Sequence, residues 1–182
     1  MPFLKMIKMK YKKLFPANKY IKKFIKNLKT LELACGCGEL TKQLREDGVT
    51  VVCSDILNEE HVDVVHDLNK PFPWKTGEFE QIICVDSLEL IENPNNVFKE
   101  ANRILKKNGY FIVTVPRSLL YFNTKWEHSS YFSPASINFM IKQNGFKVIK
   151  TNHFYFIPYL KKTINVPSKV LASHLVFLLQ KK

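Results

Sequence analysis

Acidic residues are missing from both ends of this 182-residue sequence: none occurs in the first 30 positions and none in the last 55. Arginine is scarce as well, with three in the whole chain, so nearly all of the 28 basic residues are lysine. Arginine's planar fork is the better phosphate reader, and no RNA-binding motif stands out, so RNA recognition is the weaker partner reading. No apolar run approaches the roughly 18 residues that a membrane-spanning helix needs. The apolar stretches Thr50–Cys53, Gln81–Val85 and Tyr110–Val115 are of strand length instead. The lysine-rich start lacks a continuous apolar stretch with a small-residue cleavage site, so no secretory leader is expected. The four cysteines, Cys35, Cys37, Cys53 and Cys84, lack the second spaced pair of a structural zinc site, so no metal is expected. Free thiols suit a reducing compartment, and the expected location is the cytoplasm, with attachment at the membrane surface left open.

Hydrophobic residues make up 46% of the chain and aromatics 13%, enough for one domain with one core. That domain is expected over 29–182, behind a basic helical segment over 1–28. The charge is zoned: residues 31–127 carry ten basic and sixteen acidic groups between two lysine-only flanks, and the net charge is +12. Whatever the flanks touch is therefore expected to be anionic, whether a phosphate-bearing small molecule, a lipid surface or RNA.

Periodicity supplies the local elements. Apolar residues at positions 3, 4, 7, 11, 14 and 15 mark a basic amphipathic helix ended by Pro16, and Asn18–Leu28 repeats the pattern. Strand and helix then alternate: strands at Lys29–Ala34, Thr50–Ser54, Val62–His66, Glu80–Val85 and Tyr110–Val115, and helices at Glu39–Glu46 and Asn96–Lys106. Asn108 and Gly109 are expected to cap the second of these helices. A helix at Ser133–Asn144, stopped by Gly145, precedes strands at Phe146–Thr151 and His174–Leu179, with a long irregular stretch between them. The alternation predicts a parallel sheet covered on both faces, with ligands at the carboxyl ends of its strands.

The most informative segment is Leu31-Glu32-Leu33-Ala34-Cys35-Gly36-Cys37-Gly38-Glu39-Leu40-Thr41. A strand enters a turn where Gly36 and Gly38 carry no side chain, so a ligand can approach the backbone before a helix begins. Leu40 and Thr41 fit a dinucleotide fingerprint poorly, since that motif wants a small residue three places after the second glycine.

This segment resembles the first motif of the class I, seven-stranded S-adenosylmethionine-dependent methyltransferases. Glu32 takes the acidic position at the end of strand one, Ala34 stands where the first glycine is usual, and Gly36 and Gly38 match the other two. The resemblance covers about residues 28–150 and continues at Asp55, at Asp67-Leu68, through Phe79–Ile91 and from Asn95 to Pro116. It implies an α/β, three-layer, doubly wound, mostly parallel seven-stranded sheet with an antiparallel C-terminal strand, and S-adenosylmethionine as cofactor. By the same resemblance, Glu32, Ala34, Cys35, Gly36 and Gly38 line the methionine half, and Asp55 with Ile56 meets the ribose. Asp67 and Leu68 would lie beside the adenine, and Val85 and Asp86 would close the site. Asp86 equally suits the N-cap of the turn after it. Many relatives carry a Glu-His pair where Glu89 and Leu90 stand here.

A sulfonium methyl is already activated, so the protein's task is to align the nucleophile and exclude water. Residues that choose the substrate are expected after the fifth strand, where Tyr121, Trp126 and Tyr131 would line a pocket. His128 is the candidate base, or the group that orients the acceptor. In relatives that act on sugars, quinones and similar metabolites, a comparable histidine stands before an aromatic residue and a Ser/Thr-Pro helix start. The preferred acceptor is a small molecule, anionic or glycan- or lipid-like. The alternatives are RNA methylation through the lysine-rich flanks and a noncatalytic module that docks on a membrane or a partner.

Overall fold

The computed structural model describes residues 21–116, 132–157, 162–165 and 174–182. The first expected helix and the first three residues of the second lie outside these residues, as do Tyr121, Trp126, His128 and Tyr131; the rest of the second is helical only at Ile21 and Lys22, and the chain turns from Lys23 on its way to the sheet.

Parallel strands β1 (Thr30–Leu33), β2 (Val51–Asp55), the short β3 (Val64–Val65), β4 (Phe79–Val85) and β5 (Leu105–Pro116) alternate with helices α1 (Glu39–Glu46) and α2 (Pro94–Ile104). Helix α3 (Pro134–Gln143) then leads into β6 (Phe146–Ile157), β7 (Lys162–Asn165) and β8 (His174–Lys181). The sheet order is β3-β2-β1-β4-β5-β8-β6-β7, and β8 runs antiparallel between β5 and β6. The expected doubly wound sheet is therefore present, with β7 as an eighth strand added at one edge. No helix among the described residues is long and apolar enough to cross a membrane.

Side chains alternate between two cores because successive strand residues face opposite sides of the sheet. On β5, Phe111, Val113 and Val115 join one cluster and Ile112 the other; on β8, Leu175, Phe177 and Leu179 oppose Val176 and Leu178 in the same way. The larger core packs the sheet on α2 and α3 through Val97, Phe98, Ala101, Ile104, Ile137 and Ile141. The smaller one contains Leu40 and Leu44 of α1 together with Ile21 and Phe24, so the end of the basic N-terminal segment is part of the packed domain. Lysines of that segment have partners inside the molecule: Lys22 pairs with Asp47 at 2.8 Å, and Lys26 lies 3.9 Å from the centre of the Tyr110 ring.

Several boundaries differ from the sequence reading for local physical reasons. Helix α2 starts at Pro94 because the Asn93 side chain accepts the Asn96 N–H, and proline is preorganised for the first helical turn. It ends at Ile104, and Asn108-Gly109 is not its cap. Leu105 pairs with Phe79 and Tyr110 with Gln81, so the residues between them loop out of β5 as a bulge. Asn108 serves that bulge at φ +62°, and a Cβ on Gly109 would come within 3.0 Å of the Glu80 carbonyl. Strand β6 runs six residues beyond the expected Thr151, and Phe154–Ile157 pairs with Lys162–Asn165 inside the stretch read as irregular. Helix α3 follows the sequence reading closely: Ser133 and Ser136 form a capping box, and Gly145 leaves the helix at φ +74°.

Phe98, Phe111 and Phe146 meet edge to face or tilted at 5.4–6.3 Å beneath α2, and all three are buried. Phe98→Ala is expected to lower stability by about 3–5 kcal/mol in a urea titration, since this close-packed cluster has little room to collapse.

Candidate functional site

Parallel pairing puts the carboxyl ends of β1 and β4 side by side, with Leu33 opposite Cys84, and the chain leaves both strands at one edge of the sheet. After β1 it takes the left-handed conformation at Ala34, Gly36 and Gly38, with φ of +51°, +60° and +72°. Alternating handedness turns the backbone sharply, and within the turn the Cys35 N–H donates to the Ser54 carbonyl at 2.9 Å and the Gly38 N–H to the Cys35 carbonyl at 3.0 Å. Side chains from β2 and beyond hold this loop. The Gly36 N–H donates to Asp55 Oδ2 at 2.8 Å, the Leu57 N–H donates to Asp55 Oδ1 at 3.0 Å, and the His61 ring meets the Gly36 carbonyl at 3.0 Å. A Cβ at Gly38 would lie 2.3 Å from that ring, which is why no side chain fits there. At Gly36 a Cβ would meet nothing within 4 Å, so the loop is open on that side.

The sequence-derived residues divide into three groups. Ala34, Cys35, Gly36, Gly38, Asp55 and Ile56 gather around the loop, with Asp55 buried and Ile56 49% exposed directly after it. Glu32 faces away: it is buried, and its carboxyl accepts the Thr41 hydroxyl hydrogen bond, tying β1 to α1. Burial pushes this carboxyl up to about 8, against the lowering effect of the Thr41 hydrogen bond. Asp67 accepts from the Asn69 N–H at 2.9 Å in a local turn, while Leu68 is buried in the larger core. Cys35 is a buried thiol, and the Cys53 S–H donates to the His61 carbonyl at 2.9 Å.

Val85 and Asp86 stand at the end of β4. Asp86 adopts φ +43° and does not cap the turn at Leu88–Leu90. Its Oδ1 accepts the Thr114 hydroxyl of β5 at 2.6 Å, and its N–H donates to the same hydroxyl oxygen at 2.9 Å. Two further groups arrive that sequence reasoning gave no role at the site. Glu89 is 4% exposed; His174, at the start of β8, is 1% exposed and stacks on Phe154 with ring centres 4.8 Å apart. Burial raises both carboxyls, Glu89 well above the usual carboxylate range with the Asp86 charge adding to it, and burial lowers the His174 imidazole. Only the antiparallel return of β8, which sets His174 opposite Pro116, brings the histidine here, and no local sequence signal marks it. His61 is the second omission, for the same reason. Among the described residues, no group of three or more His, Cys, Asp or Glu side chains could hold a metal ion.

The sequence model of a methyltransferase domain matches residues 8–151. Two uncharacterized proteins of Methanocaldococcus jannaschii are similar in sequence. One is 25% identical over 75% of this chain and 73% of its own length, the other 31% identical over 78% of this chain and 66% of its own length. Among solved structures, the fold is similar to a SAM-dependent methyltransferase from Archaeoglobus fulgidus, with a TM-score of 0.72 at 16% identity over 91% of this chain and 93% of that one. It is also similar to an S-adenosylmethionine-dependent methyltransferase from Mesorhizobium loti, with a TM-score of 0.69 at 14% identity over 90% and 96% of the two chains.

Two substitutions test how the loop is held. Ala34 has a left-handed φ with a Cβ in place, so Ala34→Gly is expected to raise stability by up to about 1 kcal/mol, read as a higher Tm. The Glu32 carboxyl keeps its proton in the fold up to about pH 8, whereas the unfolded chain releases it near 4.5. Between these values the folded state binds the extra proton, so stability falls as pH rises. Glu32→Gln should therefore match the parent near pH 5 and exceed it at pH 8 by about 2 kcal/mol or more, a Tm gain of at least about 4 °C.

Proposed function

Since the chain belongs to the methyltransferase-domain family and is an S-adenosylmethionine-dependent methyltransferase, we propose that it methylates a small molecule held at the carboxyl ends of β1, β4 and β5. The observation that carries this reading is the Asp55 carboxylate, fixed at the end of β2 by the Gly36 and Leu57 N–H groups. The residues present fit the cofactor. A carboxylate is the natural acceptor for paired ribose hydroxyls, exposed Ile56 offers an apolar surface beside it, and the loop is open at Gly36 for the methionine half. In this reading Ala34, Cys35, Gly36 and Gly38 supply the backbone cradle, and Glu32 acts behind it by fixing α1 through Thr41. Asp67 and Leu68 would border the adenine, and Val85 would divide the cofactor side from the acceptor side. The cofactor supplies a methyl group already activated on a sulfonium. The chain's own part is to orient the acceptor, exclude water and take up any proton that leaves it.

The acceptor side is bounded by the end of β4, the Leu88–Leu90 turn and the start of β8, and the chain leaves β5 at Pro116 to return at Phe132 before α3. His128, Tyr121, Trp126 and Tyr131 belong to that connection and are proposed as acceptor-facing residues, with His128 the candidate base. An anionic acceptor group finds no support in the described part of this edge, where the titratable side chains are two carboxyls and a histidine kept neutral by burial. The lysine flank has internal uses at Asp47 and Tyr110, so its charge alone does not argue for a lipid or RNA partner.

Calorimetric titration with S-adenosylmethionine and S-adenosylhomocysteine tests the reading. Both are expected to bind saturably, and Asp55→Ala should weaken each by about tenfold or more, as loss of a charge-assisted hydrogen bond predicts. Equal affinity in the variant would remove Asp55 from the cofactor site.

A further inference from the structure

Glu89 and His174 are buried titratable groups, and Asp86 is half-buried with them. They come from three elements, β4, the Leu88–Leu90 turn and β8, and meet at the carboxyl edge of the sheet. Two of their oxygens, Asp86 Oδ2 and Glu89 Oε2, are buried with no hydrogen-bond partner among the described residues, and Glu89 as a whole is 4% exposed. Buried polar atoms are rarely left in this state, and such orphans point to a ligand group. The titratable groups that face Asp86 are Glu89 on the turn, His174 on β8 and Cys84 beside it on β4, with Glu32 on β1 beyond Cys84. Among these described groups none is a lysine or arginine, and burial lowers the His174 imidazole. Burial together with the Asp86 charge keeps Glu89 protonated, and burial keeps His174 neutral. Burial raises Asp86 as well, but its Oδ1 holds the Thr114 hydroxyl, a bond that favours the charged form.

We propose that Asp86 is the recognition site for a protonated amino group of the small-molecule acceptor, with Glu89 and His174 as positioning residues at the same edge of the sheet. The inference rests on the methyl-transfer reading above and names its substrate class. An ammonium group brings one positive charge and N–H donors, which matches the Asp86 carboxylate and its unpartnered Oδ2 acceptor. A divalent cation fits less well, because the cluster lacks three anionic or neutral ligands arranged around one point. A hydroxyl group would satisfy the hydrogen bonds and leave the charge uncompensated. The backbone suits the corresponding test variant, since asparagine adopts positive φ readily and Asp86 stands at +43°.

The experiment uses the full chain saturated with S-adenosylhomocysteine and titrated with ethanolamine and benzylamine, then with benzyl alcohol and benzoate. At least one amine is expected to bind saturably, at least tenfold more tightly than the alcohol or the acid, and to shift the His174 ring signals in NMR. Asp86→Asn should keep its fold by Tm and lose amine affinity at least tenfold. Amine binding should weaken as falling pH protonates Asp86. Four outcomes would overturn the inference: no amine bound, benzoate preferred, Asp86→Asn binding amines as the parent does, or saturable Mg2+ binding that Asp86→Asn abolishes. S-adenosylhomocysteine binding in the same samples separates the two levels. Cofactor-product binding without amine binding rejects only this inference, whereas its absence rejects the methyl-transfer reading itself.

Discussion

The carboxylate of Asp55 organises the candidate site. It stands at the end of β2, and by accepting the Gly36 N–H it fixes a loop that has already left β1. A turn through three left-handed residues has few internal hydrogen bonds of its own, so its shape must be imposed from outside. Asp55 imposes it on one side and the His61 ring on the other, where the ring meets the Gly36 carbonyl and fills the space a Gly38 side chain would need. The carboxylate proposed to meet the cofactor is thus also the one that shapes its cradle, and the two duties are coupled.

Three other acids, two buried and one half-buried, show how environment separates the roles of one functional group. Glu32 has a hydroxyl partner and is protonated near neutral pH, so it behaves as a structural tie between β1 and α1. Asp86 and Glu89 share a small volume with each other and with His174, where the fold cannot ionise them independently. Burial raises all three carboxyls, yet only the last two retain buried oxygens without a protein partner. That difference distinguishes a packing role from a recognition role more sharply than any shift in acidity.

Much of the fold was legible in the sequence because short buried strands and amphipathic helices leave strong local signals. The segment Leu31–Thr41, the β4 run ending in Val85 and the capping serine before α3 fell where periodicity and cap chemistry placed them. The errors were equally local in origin. Asn108-Gly109 carries the same signal for a helix cap as for a bulge, and only the pairing of the flanking Leu105 with Phe79 and Tyr110 with Gln81 decides between them. The second half of β6 lacked an alternating pattern and was recognisable as a strand only through β7 and β8 beside it.

The sequence by itself determined the doubly wound class, the glycine turn after β1 and the carboxylate at the end of β2, because each depends on residues within a few positions of one another. The tertiary structure decided the rest. It turned Glu32 inward onto Thr41, brought His61 against the glycine loop, and set His174 beside an aspartate 88 positions earlier in the chain. These contacts depend on strand order and direction, above all on the antiparallel entry of β8 next to β5. Long-range pairing of that kind joins residues with no shared local pattern, so their chemistry as a group emerges only once the sheet has formed.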